Sequence, residues 1–145
     1  MEYGEIKEKL VEKYQDESSF EFARDIPYFL QFMKHYLESE GEIQEEIKDV
    51  KAIYQVIAKD SGYSFWLSIY NSNVNYGFDL VPNHTLTLIM PEKVLGDVIY
   101  QRKSALTAYL EGSINIEGTL KEMAFFRKLL LYARKELLEN ATITV

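Results

Sequence analysis

Through the first third of the chain, apolar residues recur at helical spacing. Tyr3, Ile6, Leu10, Val11 and Tyr14 fall on one side of a stretch whose other positions are Glu and Lys, which predicts a helix over Glu2 to Tyr14. Asp16 to Ser19 reads as a break. Asp25 is placed to cap a second helix, with Pro27 tolerated in its first turn. Ile26, Phe29, Leu30, Met33 and Leu37 form its stripe, Tyr28, Phe32 and Tyr36 widen it, and Gly41 marks its end. A short acidic helix is expected from Ile43 to Lys48.

The period then falls from 3.6 to 2. Val50 to Lys59 alternates and is rich in β-branched and aromatic residues, as a strand would be. Ser61-Gly62 signals a turn, and Tyr63 to Tyr70 reads as a second strand. Asn71 to Asn75 is a further turn cluster, followed by strands over Tyr76 to Val81 and Thr85 to Met90. Connections this short predict that the four strands form an antiparallel meander. Pro91 opens a helix through Val94, Leu95, Val98 and Ile99, and Ser104 is placed to cap another carrying Leu106, Tyr109 and Leu110. Gly112 ends it, Ser113 to Glu117 alternates as a fifth strand, and Gly118-Thr119 leads into a final helix from Leu120 to about Leu138. That helix is apolar nearly all round, so it must be covered on more than one side, by sheet, ligand, membrane or a second subunit.

No linker, repeat or low-complexity tract interrupts the pattern, so residues 1–145 are expected to be one domain: an acidic helical part to residue 48, four strands over 50–90, two short helices over 91–111, a strand over 113–117 and the last helix. The expected class is α+β. The net charge is −7, with 14 acidic and 6 basic residues up to Val50 and 9 and 10 after it. Acidity therefore belongs to the N-terminal helices, and a nucleic-acid partner, which needs a basic surface, is not expected. Cysteine is absent, which removes disulfides, thiol nucleophiles and thiolate metal sites and suits a reducing compartment. The opening residues lack a basic start and an apolar run of secretory length, and no run approaches ~20 apolar residues, so a cytoplasmic protein without a transmembrane segment is expected.

Chemistry is scarce. His35 and His84 stand far apart, without neighbours at metal-ligand spacing. Gly62-Tyr63-Ser64 lacks the second glycine of a nucleophile turn, and no glycine-rich phosphate loop occurs. Asp60, Asp79 and Glu117 lie on or near predicted strands, with Asp79 mid-strand on the face opposite Phe78 and Leu80. No enzyme, metal or cofactor is expected.

From Asn83 to about Leu130 the chain resembles the sterol carrier protein family (SCP-like, sterol-binding domains). The resemblance rests on Asn83-His84-Thr85-Leu86-Thr87-Leu88-Ile89-Met90, on the run from Ala108-Tyr109-Leu110-Glu111-Gly112 to Ile114, Ile116 and Gly118, and on Thr119-Leu120-Lys121-Glu122-Met123. Upstream, Phe65 to Asn71 is similar to the family's aromatic strand. In place of the glycine that usually separates the two short helices stands Tyr100-Gln101-Arg102-Lys103.

The resemblance implies a five-stranded mixed sheet with helices on one face and an apolar tunnel between them. It implies an apolar ligand, a sterol, fatty acyl chain or related lipid, bound and carried there. Alternation would put Phe65, Leu88 and Met90 on the sheet side, and Val94, Val98, Leu106, Tyr109, Leu110, Met123, Phe126 and Leu130 on the helical side. The alternative is an interaction or dimerisation module of the same fold whose core is filled by its own side chains. Transient membrane contact and a homodimer belong to these two readings as partners.

Overall fold

The computed structural model describes residues 2–15 and 20–143. Three helices come first: α1 (Tyr3–Gln15), α2 (Phe22–Ser39) and α3 (Gly41–Ile47). Strands β1 (Lys51–Ala58), β2 (Ser64–Tyr70), β3 (Asn73–Gly77) and β4 (Leu86–Met90) follow. Helices α4 (Glu92–Ile99) and α5 (Ala105–Leu110), strand β5 (Asn115–Glu117) and helix α6 (Leu120–Ile143) complete the order.

The sheet is mixed, with order β3-β2-β1-β4-β5. The first three strands form the expected antiparallel meander. The fourth leaves it: β4 pairs in parallel with β1, Val56 opposite Leu88, and β5 closes the far edge antiparallel to β4. Two sequence expectations are thereby corrected. Asn71 and Ser72 both adopt positive φ and Tyr70 faces Asn73, so they are a two-residue hairpin turn of the kind whose twist matches its strands. The third strand therefore begins at Asn73 and ends at Gly77, where an added Cβ would lie 2.7 Å from the Trp66 ring. Residues 78–85, expected to begin as strand, are instead the crossover to β4. They span three strand spacings, about 14 Å, and the length of a short strand. Eight extended residues reach about 27 Å, so no intervening helix is required.

The crossover runs over the sheet face opposite the helices. Side chains alternate across a strand, so Tyr54 points to the helices while Gln55 points away. Gln55 is buried, its Oε1 accepts the Val81 N–H at 2.8 Å, and its Nε2 donates to Thr87 Oγ1 at 3.2 Å. Trp66 Nε1 donates to Asp79 at 3.0 Å, which holds the exposed Asp79 carboxylate below its ordinary range. Asp79 is thus a tether for the strap and not a mid-strand residue. At the strap's end the Thr85 N–H donates to Ile53 O at 2.8 Å and Thr85 Oγ1 accepts the Ile53 N–H at 3.0 Å.

On the helical face the inward residues Ala52, Tyr54, Val56, Ala58, Phe65, Leu67, Ile69, Val74, Leu86, Leu88 and Met90 are all buried. Helices α2 and α6 cover them, Phe22 against Phe65 and Phe126 against Tyr54. Helix α2 begins earlier than its expected cap. Asp25 sits inside the first turn, where its carboxylate accepts the Glu21 N–H at 3.1 Å and pairs with Arg24, and Pro27 falls one turn later than expected. Helix α1 packs on α2 and α6, and its end is tied to the end of α4 by Tyr14 Oη donating to Ile99 O and Arg102 donating to Lys13 O. Helix α6 opens with Thr119 and Glu122 in a reciprocal capping box.

Replacing Gln55 by Ala strands the Val81 N–H and the Thr87 hydroxyl in the interior. The expected loss in urea unfolding is about 2–3 kcal/mol, the cost of buried polar groups left without partners. A change within about 0.5 kcal/mol, the range of surface substitutions, would show that the strap does not depend on this amide.

Candidate apolar ligand site

Eleven positions are the sequence's candidates for lining an apolar site, and the fold sorts them into two groups. Phe65, Leu88 and Met90 project from β2 and β4 toward the helices, Val98 comes down from α4, and Met123, Phe126 and Leu130 come from α6; all are buried. Val94 is half-buried against the same cluster. These eight meet in one apolar layer between sheet and helices. The layer is filled by its own side chains: none of the seven buried members is more than 2% exposed.

The other three lie elsewhere. On α5, Leu106 is 42% exposed, Tyr109 38% and Leu110 74%. Their i, i+3, i+4 spacing puts them on one face, and that face is turned to solvent. The helix buries only Ala105 and Ala108. The reason is geometric. Ser104 caps the helix, its Oγ accepting the Thr107 N–H at 3.0 Å, and this start point sets Ala105 and Ala108 inward at three-residue spacing. At the other end, Ser113 N–H donates to Ala108 O and Gly112 N–H to Tyr109 O, with Gly112 at φ 81°. That double bond and left-handed glycine form a Schellman stop. A two-turn helix clamped at both ends thus carries large apolar residues outside and small ones inside.

Two residues of this layer escaped the sequence reading. The Tyr54 ring packs on Phe126 with centroids 5.1 Å apart, and burial, aided by the Glu122 charge, raises its phenol above the ordinary tyrosine range. Its signal was the alternation of β1, which sets Ala52, Tyr54, Val56 and Ala58 on one side. Phe22 was missed as well. It stacks on Tyr63 at 5.3 Å and tilts on Phe65 at 6.0 Å, at the edge of an apolar groove of about 310 Å³ lined also by Pro27 and Phe78.

Polar chemistry near this layer is thin. Among the described residues no group of three His, Asp or Glu side chains is placed to hold a metal ion. His35 lies on the Tyr3 ring, and His84 Nε2 is 3.9 Å from Glu117. No helix among the described residues is long and apolar enough to cross a membrane. What the arrangement can do is cover apolar surface.

The fold is that of sterol carrier protein 2. Sterol carrier protein 2 from Yarrowia lipolytica in its apo form aligns with a TM-score of 0.59 at 17% identity, over 76% of this chain and 90% of that one. The ubiquinone-synthesis protein UbiJ-SCP2 aligns at 0.58 and 15% identity, over 74% of this chain and 96% of that one. A third similar structure is the stereoselective inverting sec-alkylsulfatase Pisa1 from a Pseudomonas species, at 0.58 and 14% identity over 70% of this chain. The chain spans only 16% of that enzyme's length. No protein-family model and no curated protein matches the sequence.

The two groups of candidates predict opposite responses to truncation. Phe126→Ala is expected to lose about 3–5 kcal/mol of unfolding free energy, as large core deletions do. Leu110→Ala is expected to stay within about 0.5 kcal/mol of the parent. Comparable losses from both in denaturant unfolding would place Leu110 in the core and contradict the exposed face of α5.

Proposed function

We propose that this domain is a non-catalytic binder of an apolar ligand, a sterol, fatty acyl chain or related lipid, held between the sheet and the helices. The observation that carries the reading is the apolar face of α5, outside a helix anchored by two alanines. A segment with so little buried area is among the first to open locally. On ligand entry α5 tips about its caps at Ser104 and Gly112 and lays Leu106, Tyr109 and Leu110 over the ligand. Phe65, Leu88, Met90, Val94, Val98, Met123, Phe126 and Leu130 form the facing wall. Removal of apolar area from water supplies the affinity, at ~25 cal/mol per Å².

The fold supports this reading, since several structures that share it are sterol carrier proteins, and one is a palmitated protein from Aedes aegypti. The filled interior favours a second reading, in which the domain is an interaction or dimerisation module that never opens.

Native mass spectrometry of the purified protein, with solvent extraction, separates the two. The proposal expects a discrete mass excess that extracts as lipid, or uptake of a fluorescent fatty-acyl probe by stripped protein. Leu110→Glu is expected to weaken uptake about tenfold, the equivalent of ~1.4 kcal/mol, with thermal stability unchanged. A bare mass, no probe uptake and a concentration-dependent dimer would replace the carrier by the interaction module.

A further inference from the structure

The two edges of the sheet, β3 and β5, are guarded differently. An edge strand presents unpaired N–H and C=O groups to any chain that can lie beside it, and proteins blunt such edges by shortness, charge or proline. Strand β5 is short, with three residues, and Gly118 at φ 138° follows it. Strand β3 has five residues, Asn73-Val74-Asn75-Tyr76-Gly77, with no charge and no proline among them.

The hairpin fixes which groups of β3 face outward. Tyr70 and Asn73 close the two-residue turn, and bonded positions alternate along an antiparallel pair. Asn73, Asn75 and Gly77 therefore turn their backbone groups to β2, while Val74 and Tyr76 turn theirs to the open side. Helix α2 supplies the guard that the strand lacks. Glu38 Oε2 accepts the Val74 N–H at 2.9 Å, and Lys34 Nζ donates to Val74 O. The two side chains stand one turn apart on α2 and pair with each other at 3.0 Å. Both outward groups of Val74 are thereby occupied, and two charges sit on the edge. The outward groups of Tyr76 have no hydrogen-bond partner among the described residues.

The pair is not what holds the hairpin in place. The Val74 side chain is fully buried, and Gln44 of α3 donates to Ser72 O at 3.4 Å. An ion pair as exposed as this one, at 40% and 32%, contributes little to folding. Without it, a second copy of the chain fits the edge. With a two-fold axis through Asn75, Val74 of one copy lies opposite Tyr76 of the other and exchanges both backbone bonds with it, and the reverse pair does the same. Asn75 then faces its own counterpart, so no like charges meet.

From these observations we infer that the Lys34–Glu38 pair is an autoinhibitory contact: by occupying the outward backbone groups of Val74 it keeps the β3 edge from pairing with the β3 edge of a second copy and joining two sheets into one. The contact is separate from the sheet–helix layer and stands or falls independently of it.

Sedimentation velocity over a concentration series, with amide exchange of the full chain, tests this. The parent chain is expected to keep β3 unpaired at every concentration, with the Val74 amide protected and the Tyr76 amide exchanging freely. Lys34→Ala/Glu38→Ala is expected to self-associate at least about tenfold more tightly, through backbone hydrogen bonds on both sides of the axis. Its Val74 and Tyr76 amides become protected together as concentration rises. Adding Asn75→Lys, which sets like charges opposite each other at an exposed position, is expected to restore the monomer. In the parent, which needs no variant to fold, a Val74 amide exchanging as fast as that of Tyr76 would overturn the contact. A folded double variant that stays monomeric, or a dimer unmoved by Asn75→Lys, would overturn it as well.

Discussion

A primary amide buried in the central strand of a sheet has to find partners within reach, and Gln55 finds them on two different segments. Its nitrogen holds Thr87 of the neighbouring parallel strand, and its oxygen holds the backbone of the crossover that delivers that strand. If β4 had continued the meander beside β3, this amide would face water or nothing. The parallel β1–β4 pair, the place of β5 beyond it and the line of α4 and α5 all follow from where the strap at residues 78–85 lands. Trp66 with Asp79, and Thr85 with Ile53, fasten its two ends. The open face of the sheet is thereby covered over Gln55 and Thr87 by eight residues of chain, while Lys51, Tyr70 and Asn75 stay exposed on it, and the helical layer builds on the other face alone.

That division gives the helical side its character. Helices α2 and α6 contribute large aromatic and aliphatic side chains and close the layer tightly, as Phe22 on Phe65 and Phe126 on Tyr54 of β1 show. By contrast, α5 contributes two alanines and turns its leucines and tyrosine outward. The two arrangements are complementary. A well-packed wall keeps the fold intact, while a lightly held helix carries the apolar area that the proposed function assigns to a ligand. The cost of exposing Leu110 and Leu106 to water is small in absolute terms, so the unliganded chain tolerates it.

Much of this was legible in the sequence. Alternation gave the inward face of β2 and β4, including Phe65, Leu88 and Met90, and the Ser104 cap and Gly112 stop were read at their correct positions. The resemblance carried by Asn83 to Met90 and Ala108 to Gly118 pointed to the mixed sheet that the residue periods alone did not. Three things were hidden. The Asn71-Ser72 turn lacks the glycine that normally marks a two-residue hairpin, so the third strand was set too late. The partner of β4 depends on a hydrogen bond from the Val81 backbone N–H to the Gln55 side chain 26 residues away, which no local pattern encodes. The outward turn of Leu106, Tyr109 and Leu110, expected on the helical side of the tunnel, was the third, since a two-turn helix anchored by Ala105 and Ala108 sets its phase by packing that no local pattern shows.

Hydrogen exchange of the α5 amides in native protein, with and without a bound fatty-acyl probe, bears most directly on the claim that this helix opens to admit an apolar ligand and then covers it. The account predicts exchange in free protein that is faster by orders of magnitude than in β1, β4 or the middle of α6, and strong protection of α5 once the probe is bound. Exchange of α5 only through global unfolding, unchanged by the probe, would contradict it and leave a closed core with an inert surface helix.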